Sequence, residues 1–408
     1  MSTYERQGDI LKIISQLDIT PTMYKNAVTK YTSIAEYLEN NGIEADMYPQ
    51  GSFALGTVVR PNAKDPNAAY DLDFICQLRI IRTYLTAAEL RKNVEDILMS
   101  SDLYGGKLTI NDNCFTIKYA DVGGLGFSID IVPAVDENEE NKVRLRSKSK
   151  NPTLIDSAIA IPKKCEKNYN WITNNPKGYR RWFENINAPF QDSSRMQYRQ
   201  VLFEENKPIY ASVEEIPVEL ERSAMQRVIQ ILKYHRDMYY SKLENGDDVK
   251  PISAIINTIV AHISASAPAN ISVFDLLNYV LGEFATYAEY QTLTEERFAE
   301  LYQGKNVIGR KSGKWFIENP ANPEDNLADQ WNQDGSIPAH FFAWAKVVRE
   351  DLIDSLQMSN EDFRARAETA FGQKAVASAW GNKYNNVAPK PVSPVTPAKP
   401  WREKWFLP

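Results

Sequence analysis

A repeated alternation of acidic and apolar residues constrains the fold of this chain more than any other feature. Residues 71–80 begin Asp-Leu-Asp and continue as an apolar run, and residues 126–135 alternate around Asp130. Side chains two apart on a β-strand point to the same face, so the leucine is expected in the core while Asp71 and Asp73 project together from the other face. If the strand of Asp130 lies beside the first strand, its carboxylate completes a three-acid cluster.

The first half of the chain mixes helical and strand periodicities. Apolar residues at intervals of three and four predict helices over 9–17, 22–40 and 86–99, the last crossing between two strands. Residues 114–120 are aromatic and β-branched and predict a further strand. This order of helices, turn, strand, helix and strands predicts a compact domain with a mostly mixed sheet.

The chain is predicted to become helical from about Asn168. Helical periodicity with little strand signal marks the segments 224–240, 252–266, 273–285, 293–303, 337–354 and 360–371. A second, all-helical lobe explains them most simply. The predicted fold is α+β and two-lobed: a mixed-sheet lobe with the N-terminal helices over residues 1–210, a helical lobe over 211–383 and a proline-rich extended tail over 384–408.

Composition excludes several classes of protein. The 408 residues carry a net charge of −6, which argues against a protein that coats duplex nucleic acid, because phosphate contacts require clustered Lys and Arg. A polar N-terminus and the lack of any run of about 18 apolar residues predict a cytoplasmic protein with no membrane segment. The three histidines and three cysteines are widely separated and argue against a structural zinc site, so any metal is expected to have oxygen ligands.

The acids suit a divalent cation. Two neighbouring carboxylates repel each other and raise one pKa unless a cation lies between them, and Mg²⁺ is held by a few carboxylates together with substrate phosphates. Two ions would activate an attacking hydroxyl and stabilise a leaving pyrophosphate, with Asp130 as the general base or a metal ligand in its place. An Asp-x-Asp on a strand is often only a solvated pair. Asp130 lies between apolar neighbours, where an acid is costly without a purpose.

The turn formed by Gln50, Gly51 and Ser52, ahead of the first acidic strand, is the candidate phosphate site. Its backbone N–H groups and the Ser52 hydroxyl can bind a phosphate at a helix N-terminus. A Gly-Ser pair alone is most often a plain turn. The pair becomes specific for a phosphate site only together with the acids that follow it in this order and spacing.

This combination resembles the nucleotidyltransferase superfamily of DNA polymerase beta type, whose pattern is Gly-Ser, a spacer, Asp-x-Asp and a later Asp between apolar residues. Ser52, Asp71, Asp73 and Asp130 match that pattern. The spacer of 18 residues between Ser52 and Asp71 is longer than in many members, so an inserted loop is expected at 61–69. This departure weakens the likeness to compact toxin-type or drug-modifying members.

Later segments are similar to the oligoadenylate synthase and cyclic GMP-AMP synthase lineage, and the bacterial CD-NTases of anti-phage CBASS operons resemble nearly the whole chain. Residues 226–237, followed by 250–253, look like the helical segment that contacts the triphosphate, and 317–326 resemble a further signature. The resemblance implies that Lys233 and Ser253 hold the β- and γ-phosphates. Taken alone, Lys233 and the arginine three positions later could form only a solvated basic face.

The resemblance implies a cyclic oligonucleotide synthase that uses two Mg²⁺ ions, for which Mn²⁺ can substitute. A donor nucleoside triphosphate, with ATP expected among the substrates, would be bound by the Gly-Ser turn, Lys233 and Ser253 and attacked by the 2′- or 3′-hydroxyl of an acceptor. Loss of pyrophosphate and a second round would give a cyclic di- or trinucleotide signal for anti-phage defence. The zinc insertion and basic DNA-binding face of the animal sensor have no counterpart, so neither zinc nor a duplex DNA activator is expected.

Three other functions stay open at this point. A linear 2′-5′ oligonucleotide synthase would share every residue named above. A toxin-type nucleotidyltransferase that modifies RNA or protein usually lacks the second lobe. A non-catalytic nucleotide sensor would be expected to have lost one of the three acids.

The tail allows two interpretations. It places a proline every two to three residues for most of its length, which predicts an extended, polyproline-like segment, and most such tails are solvated linkers. It ends with Trp401, Trp405 and Phe406, and three terminal aromatics are costly to leave exposed. The alternative is that they dock on the enzyme itself or on a partner, and the resemblance implies regulatory or effector proteins of a CBASS operon.

Overall fold

The structure of the chain is a computed structural model that describes residues 2–60, 69–119, 126–205 and 221–385. Side chains are described throughout these ranges except at 69–71 and 192–205. The inserted loop predicted at 61–69 lies outside the described residues except for its last position. Nearly all of the predicted tail, from residue 386 onward, lies outside them as well.

Two helices precede the sheet. Helix α1 (Thr3–Gln16) begins earlier than predicted because Ser2 and Glu5 form a capping box, in which each side chain accepts a hydrogen bond from the other residue's backbone N–H. Helix α2 (Pro21–Asn40) agrees with its prediction and starts with a proline behind a Thr20 cap.

Within the described residues, seven strands form one mixed sheet. They are β1 (Ala45–Pro49), β2 (Ala69–Ile81), β3 (Leu108–Ile110), β4 (Phe115–Tyr119), β5 (Gly126–Asp136), β6 (Ile159–Cys165) and β7 (Asn168–Asn174). The order is β1-β2-β5-β4-β3, and β6 pairs with the end of β5 and with β7. Strands β2 and β5 are parallel, and the other pairs are antiparallel. The prediction of a mixed sheet is therefore confirmed.

Three helices accompany this sheet: α3 (Gly51–Ala54), α4 (Ala87–Met99) and α5 (Glu139–Lys148). Helix α4 matches the prediction and lies in the crossover that a parallel strand pair requires. The core beneath the acidic strands is apolar and contains Leu72, Phe74, Ile129, Ile131, Val94 and Leu98. Leu72 and Phe74 flank Asp73, so the alternation predicted for β2 is confirmed there.

Residues 168–174 are a strand, so the prediction that the chain becomes helical at Asn168 is wrong. Tyr169, Trp171 and Ile172 favour a pleated, half-buried strand, and β7 pairs along its length with β6. Helical structure begins at α6 (Pro176–Glu205).

The second lobe consists mainly of helices, as predicted. Those after α6 are α7 (Ala224–Tyr240), α8 (Gly246–Val249), α9 (Ser253–Ser264), α10 (Val273–Ala288), α11 (Glu295–Leu301), α12 (Asp329–Gln333), α13 (Ser336–Leu352), α14 (Asn360–Phe371) and α15 (Gln373–Trp380). It also contains two short hairpins, β8 (Gly309–Lys311) with β9 (Lys314–Phe316) and β10 (Glu318–Asn319) with β11 (Asn322–Asn326). Strands of two to five residues carry too few positions for a periodic signal, so the sequence did not predict them.

The two N-terminal helices pack on different cores. Ile10, Ile13 and Ile14 of α1 join the core of the helical lobe, whereas Ile34 and Leu38 of α2 pack beneath the sheet. The domain limits at residues 210 and 383 stay a prediction. None of the described helices is both long and apolar enough to cross a membrane.

Candidate active site

The acids of the two central strands lie side by side. Asp73 of β2 and Asp130 of β5 are directly opposite in the parallel register, and neighbouring strands lie about 4.8 Å apart. The predicted contact between the two acidic strands is thus confirmed. Asp71 faces Ser128 in the same register, but its side chain is outside the described set, and its place in the cluster stays a prediction.

A third strand positions one of these carboxylates. Thr116 on β4 is opposite Asp130, and its Oγ1 donates a hydrogen bond to Asp130 Oδ1 at 2.5 Å. Asn111 Nδ2 donates in turn to Thr116 Oγ1 at 2.7 Å. Burial raises the pKa of the nearby Cys114 thiol, and the negative charges of Asp130 and Asp73 act in the same direction. This face of the sheet is therefore electronegative, and Asp130 is oriented by neighbours that the sequence did not identify.

The Gly-Ser turn packs directly against Asp73. Gly51 has φ +60°, in the left-handed region, and a Cβ at this position would lie 2.5 Å from Asp73 Oδ2. The backbone N–H of Gln50 donates to the Asp73 carbonyl at 2.8 Å. Only glycine satisfies both the backbone angle and the close approach. Ser52 follows in the single turn of α3.

Helix α7 of the second lobe holds the segment that follows this turn. Three of its side chains donate hydrogen bonds to backbone carbonyls there: Gln226 to Leu55 at 2.8 Å, Gln230 to Val58 at 2.8 Å and Lys233 to Thr57 at 2.9 Å. The donors lie three and four residues apart and therefore share one face of the helix. The lobes thus meet at the predicted phosphate site.

Lys233 is buried in this contact, with 4% of its surface exposed. Burial lowers the pKa of its amine to about 7, and the positive charge of Arg236 contributes in the same direction, while Asp237 and Asp73 partly offset both. An amine with this pKa gains strongly from an added negative charge. Its surroundings therefore suit an anionic ligand.

Arg236 links α7, the helix that carries Lys233, to the start of α9. Its guanidinium forms an ion pair with Asp237 at 2.8 Å and donates to the Ser253 hydroxyl at 3.1 Å and to the Pro251 carbonyl at 3.0 Å. Ser253 is the first residue of α9, where unbonded backbone N–H groups and the helix dipole favour anions.

The hairpin of β10 and β11 supplies another wall. Asn319 Nδ2 donates to Asp325 Oδ2 at 2.8 Å. Contacts with the first lobe hold the hairpin in place: Glu324 pairs with Arg144 at 3.0 Å and Lys148 at 2.6 Å, Glu318 pairs with Lys150 at 2.5 Å, and Asn175 Nδ2 donates to the Ala321 carbonyl at 2.9 Å. The segment 317–326 that the sequence singled out is thus an interlobe contact.

These elements enclose one cavity of about 560 Å³. Its lining includes every predicted site residue whose side chain is described, namely Gln50, Gly51, Ser52, Asp73, Asp130, Lys233 and Ser253. It also includes residues that were not predicted as site residues: Asn174, Asn175, Tyr179, Asn257, Asn319 and Asp325. The 317–326 resemblance pointed toward Asn319 and Asp325, whereas nothing in the sequence pointed to the others.

The donor set in the cavity fits a hard divalent cation. Asp73 and Asp130 offer adjacent carboxylates on one wall, and neither His nor Cys lines the cavity among the described residues. Oxygen-only ligands of this kind suit Mg²⁺ or Mn²⁺. Among the described side chains no three His, Cys, Asp or Glu form a metal-binding group, and Asp71 is not among those side chains.

Comparisons with known proteins agree with this geometry. Residues 45–132 match the family model described as "Cyclic GMP-AMP synthase DncV-like, nucleotidyltransferase domain". A curated relative from Roseivirga ehrenbergii, named c-di-GMP synthase, is 22% identical over 353 residues, which are 85% of this chain and 79% of the relative. Residues 45–132 thus match a nucleotidyltransferase domain of the kind that the sequence predicts. The domain match and the relative confirm the prediction of a nucleotidyltransferase.

Solved CD-NTase structures share the two-lobed fold. CdnG of Bradyrhizobium diazoefficiens in complex with GTP has a TM-score of 0.65 and 17% identity, covering 92% of this chain and 98% of that one. CdnC of Escherichia coli MS115-1 with ATP has a TM-score of 0.53 and 14% identity, covering 90% and 97%. Vibrio cholerae DncV, a cyclic AMP-GMP synthase, in complex with the linear intermediate pppA(3′,5′)pG, has a TM-score of 0.51 and 15% identity, covering 91% and 86%. At these identities the likeness establishes the fold, and the predicted fold class is confirmed.

Proposed function

We propose that this chain is a CD-NTase that joins nucleoside triphosphates into a cyclic di- or trinucleotide. The observation that carries the proposal is the single cavity that brings Asp73 and Asp130 of one lobe together with Lys233 and Ser253 of the other, beside the Gly-Ser turn. A cavity of about 560 Å³ is of the size that binds small ligands. The c-di-GMP synthase and cyclic AMP-GMP synthase among its relatives support a cyclic product.

The chain's own residues divide between binding and chemistry. Lys233, Ser253 and the backbone N–H groups of the Gly-Ser turn bind the donor triphosphate. A ribose hydroxyl of the acceptor attacks the donor's α-phosphorus, a new P–O bond forms, and the bond from the α-phosphorus to the departing pyrophosphate breaks. Asp130, oriented by Thr116, accepts the proton of that hydroxyl. The same exchange on the linear intermediate closes the ring.

Asp73 and Asp130, together with Asp71, are the residues that would hold the predicted pair of Mg²⁺ ions, with Mn²⁺ as a substitute. Such ions, when bound, lower the pKa of the attacking hydroxyl and neutralise charge on the phosphates. A Cβ at Gly51 would crowd Asp73 Oδ2, and glycine at this position of the preceding turn avoids that contact.

Product analysis tests the proposal. The purified protein is incubated with Mg²⁺ or Mn²⁺ and each labelled nucleoside triphosphate, alone and in pairs, and products that resist phosphatase are resolved by chromatography. We expect a resistant species that disappears in the double variant D71N/D73N. Asp136→Asn is the matched control, because Asp136 ends the same strand as Asp130 but lies outside the cavity lining. Unchanged substrates in every mixture would contradict the proposal, and phosphatase-sensitive products alone would identify a linear synthase.

Base identity follows from the same reactions. We propose purine nucleotides, with ATP among them, and the likeness to a c-di-GMP synthase adds GTP. A product from GTP alone would identify a cyclic di-GMP synthase, a product that needs both would identify a mixed cyclic nucleotide, and products from pyrimidine nucleotides alone would contradict the purine assignment.

We also propose an anti-phage role and partner proteins from the same operon. Both rest on the likeness to CBASS enzymes. In cells that express the complete operon, D71N/D73N should abolish protection in a plaque assay. Deletion of residues 386–408 tests the role of the tail separately from catalysis. It should impair protection while leaving synthesis by the purified enzyme unchanged. Equal protection by the wild type and D71N/D73N would contradict a role for the product.

A further inference from the structure

Asn257 is a buried polar residue on the wall of the nucleotide cavity. It lies in α9, only 4% of it is exposed, and it lines the cavity. Its Oδ1 atom is fully buried and accepts no hydrogen bond from any of the described residues. A buried amide oxygen without a donor is costly and rare in folded proteins. Because Asn257 lines the cavity, a small rotation of its amide toward the cavity would let a bound ligand supply the donor.

Other polar groups around the cavity already have partners. The hydroxyls of Tyr179 and Thr258 hydrogen-bond to each other at 2.7 Å. Asn175 Oδ1 accepts from the Gly178 N–H at 3.0 Å, and Asn319 Oδ1 accepts from the Ala321 N–H at 3.0 Å. These groups shape the cavity walls. Asn257 Oδ1, by contrast, has no donor among the described residues, so it can accept a hydrogen bond from a bound molecule.

We infer that Asn257 Oδ1 accepts a hydrogen bond from the nucleoside half of a bound nucleoside triphosphate, and so selects nucleotides that carry a donor at that point. This inference rests on the proposed function. Ionised phosphates have acceptors but no donors, so they cannot satisfy Oδ1. A ribose hydroxyl and the amino group of a base are the donors that a nucleotide offers.

The helix geometry agrees with this division of the ligand. Ser253 and Asn257 are four residues apart and share one face of α9, about 6 Å apart along its axis. Ser253, bonded to Arg236, marks the phosphate end of the cavity. Asn257 lies one turn farther along the helix, and the inference places the sugar and base of a bound nucleotide there.

A panel of nucleotides that each lack one donor tests the inference. Dissociation constants are measured with EDTA present for ATP and GTP, their 2′-deoxy and 3′-deoxy forms, purine riboside triphosphate and inosine triphosphate. The wild type should bind one of these analogues about 10-fold more weakly than its parent. Asn257→Leu, which removes the acceptor at similar volume, should bind that parent about 10-fold more weakly and lose the preference over the analogue. Which analogue is affected distinguishes a sugar hydroxyl from a base amine.

Ser264→Ala is the matched control, since Ser264 lies in the same helix, is fully buried and also has an oxygen without a donor among the described residues, but does not line the cavity. It should keep the wild-type preference. If Asn257→Leu does not fold, Asn257→Ser, which shortens the side chain, replaces it with the same expectation. Preferences that stay within about twofold of the wild type in the Asn257 variants would overturn the inference. A wild type that binds no nucleotide would contradict the proposed function instead.

Discussion

Raising the pH through the range in which Lys233 loses its proton should weaken nucleotide binding. Burial lowers the pKa of this amine to about 7 in the free protein, Arg236 acts in the same direction, and Asp237 and Asp73 oppose both. A bound triphosphate adds negative charge beside the amine and favours its protonated form. Binding therefore takes up a proton whenever the free amine is neutral, and affinity falls as pH rises above about 7.

The size of the effect follows from the protonated fraction of Lys233. With a pKa of about 7, that fraction is about 24% at pH 7.5 and about 3% at pH 8.5. The dissociation constant should therefore rise about 8-fold across this range, or about 1.2 kcal/mol, if the neutral amine contributes no binding. The second ionisation of a phosphate, near pH 6, lies below this range, so the charge of ATP or GTP changes little across it.

Isothermal titration calorimetry of ATP or GTP between pH 7.5 and 8.5, with EDTA present to prevent turnover, measures this slope. Lys233→Arg is the control, because a guanidinium stays charged throughout the range, and its dissociation constant should be flat. Runs in two buffers with different ionisation heats should also show proton uptake by the wild type alone. A wild-type constant that changes less than about twofold, or an equal slope in the arginine variant, would refute the reasoning.

Three further substitutions test the site and its support. Gly51→Ala places a Cβ 2.5 Å from Asp73 Oδ2 at a backbone φ of +60°. Initial rates should therefore fall at least about 100-fold while circular dichroism shows a folded protein. Near-normal rates would contradict the close approach. Thr116→Val removes the hydrogen-bond donor to Asp130, so steady-state kinetics should show a kcat about 10-fold lower with little change in KM. A raised KM with an unchanged kcat would show instead that Thr116 serves binding. Glu324→Gln weakens two half-exposed ion pairs, so chemical denaturation should show a loss below about 1 kcal/mol that disappears in high salt, and a salt-independent loss would indicate a packing role.

Local patterns made the sheet and its acids predictable. The period-two alternation around Asp73 and Asp130 predicted both the strands and the face on which the acids lie, because that information is contained within a few neighbouring residues. Helices α7 and α14 were predicted with the bounds that the structure has, since their periodic runs are long. The placement of Lys233 and Ser253 beside the acids came from the family resemblance, because no local pattern connects residues so far apart.

Contacts between distant segments account for what the sequence did not predict. Thr116 is an ordinary strand residue until β4 pairs with β5 and brings it to Asp130. Asn257 has the neighbours of a buried helix residue, and its importance depends on a cavity that exists only when the lobes meet. The strand at 168–174 was missed because a short alternation beside a helical region is ambiguous without its pairing partner.

The contact between α7 and the segment after the Gly-Ser turn gives this weak motif a fixed support. The carbonyls of Leu55, Thr57 and Val58 accept hydrogen bonds from donors more than 170 residues later in the chain. Removing one of these donors would leave a buried carbonyl unsatisfied, at about 1–3 kcal/mol each. The segment after the turn is therefore held in place before any nucleotide arrives, and the Thr57 N–H joins it to the turn by a hydrogen bond to the Ser52 carbonyl. Lys233 supplies one of these hydrogen bonds and also lines the cavity. It therefore both supports this segment and offers a positive charge to a triphosphate.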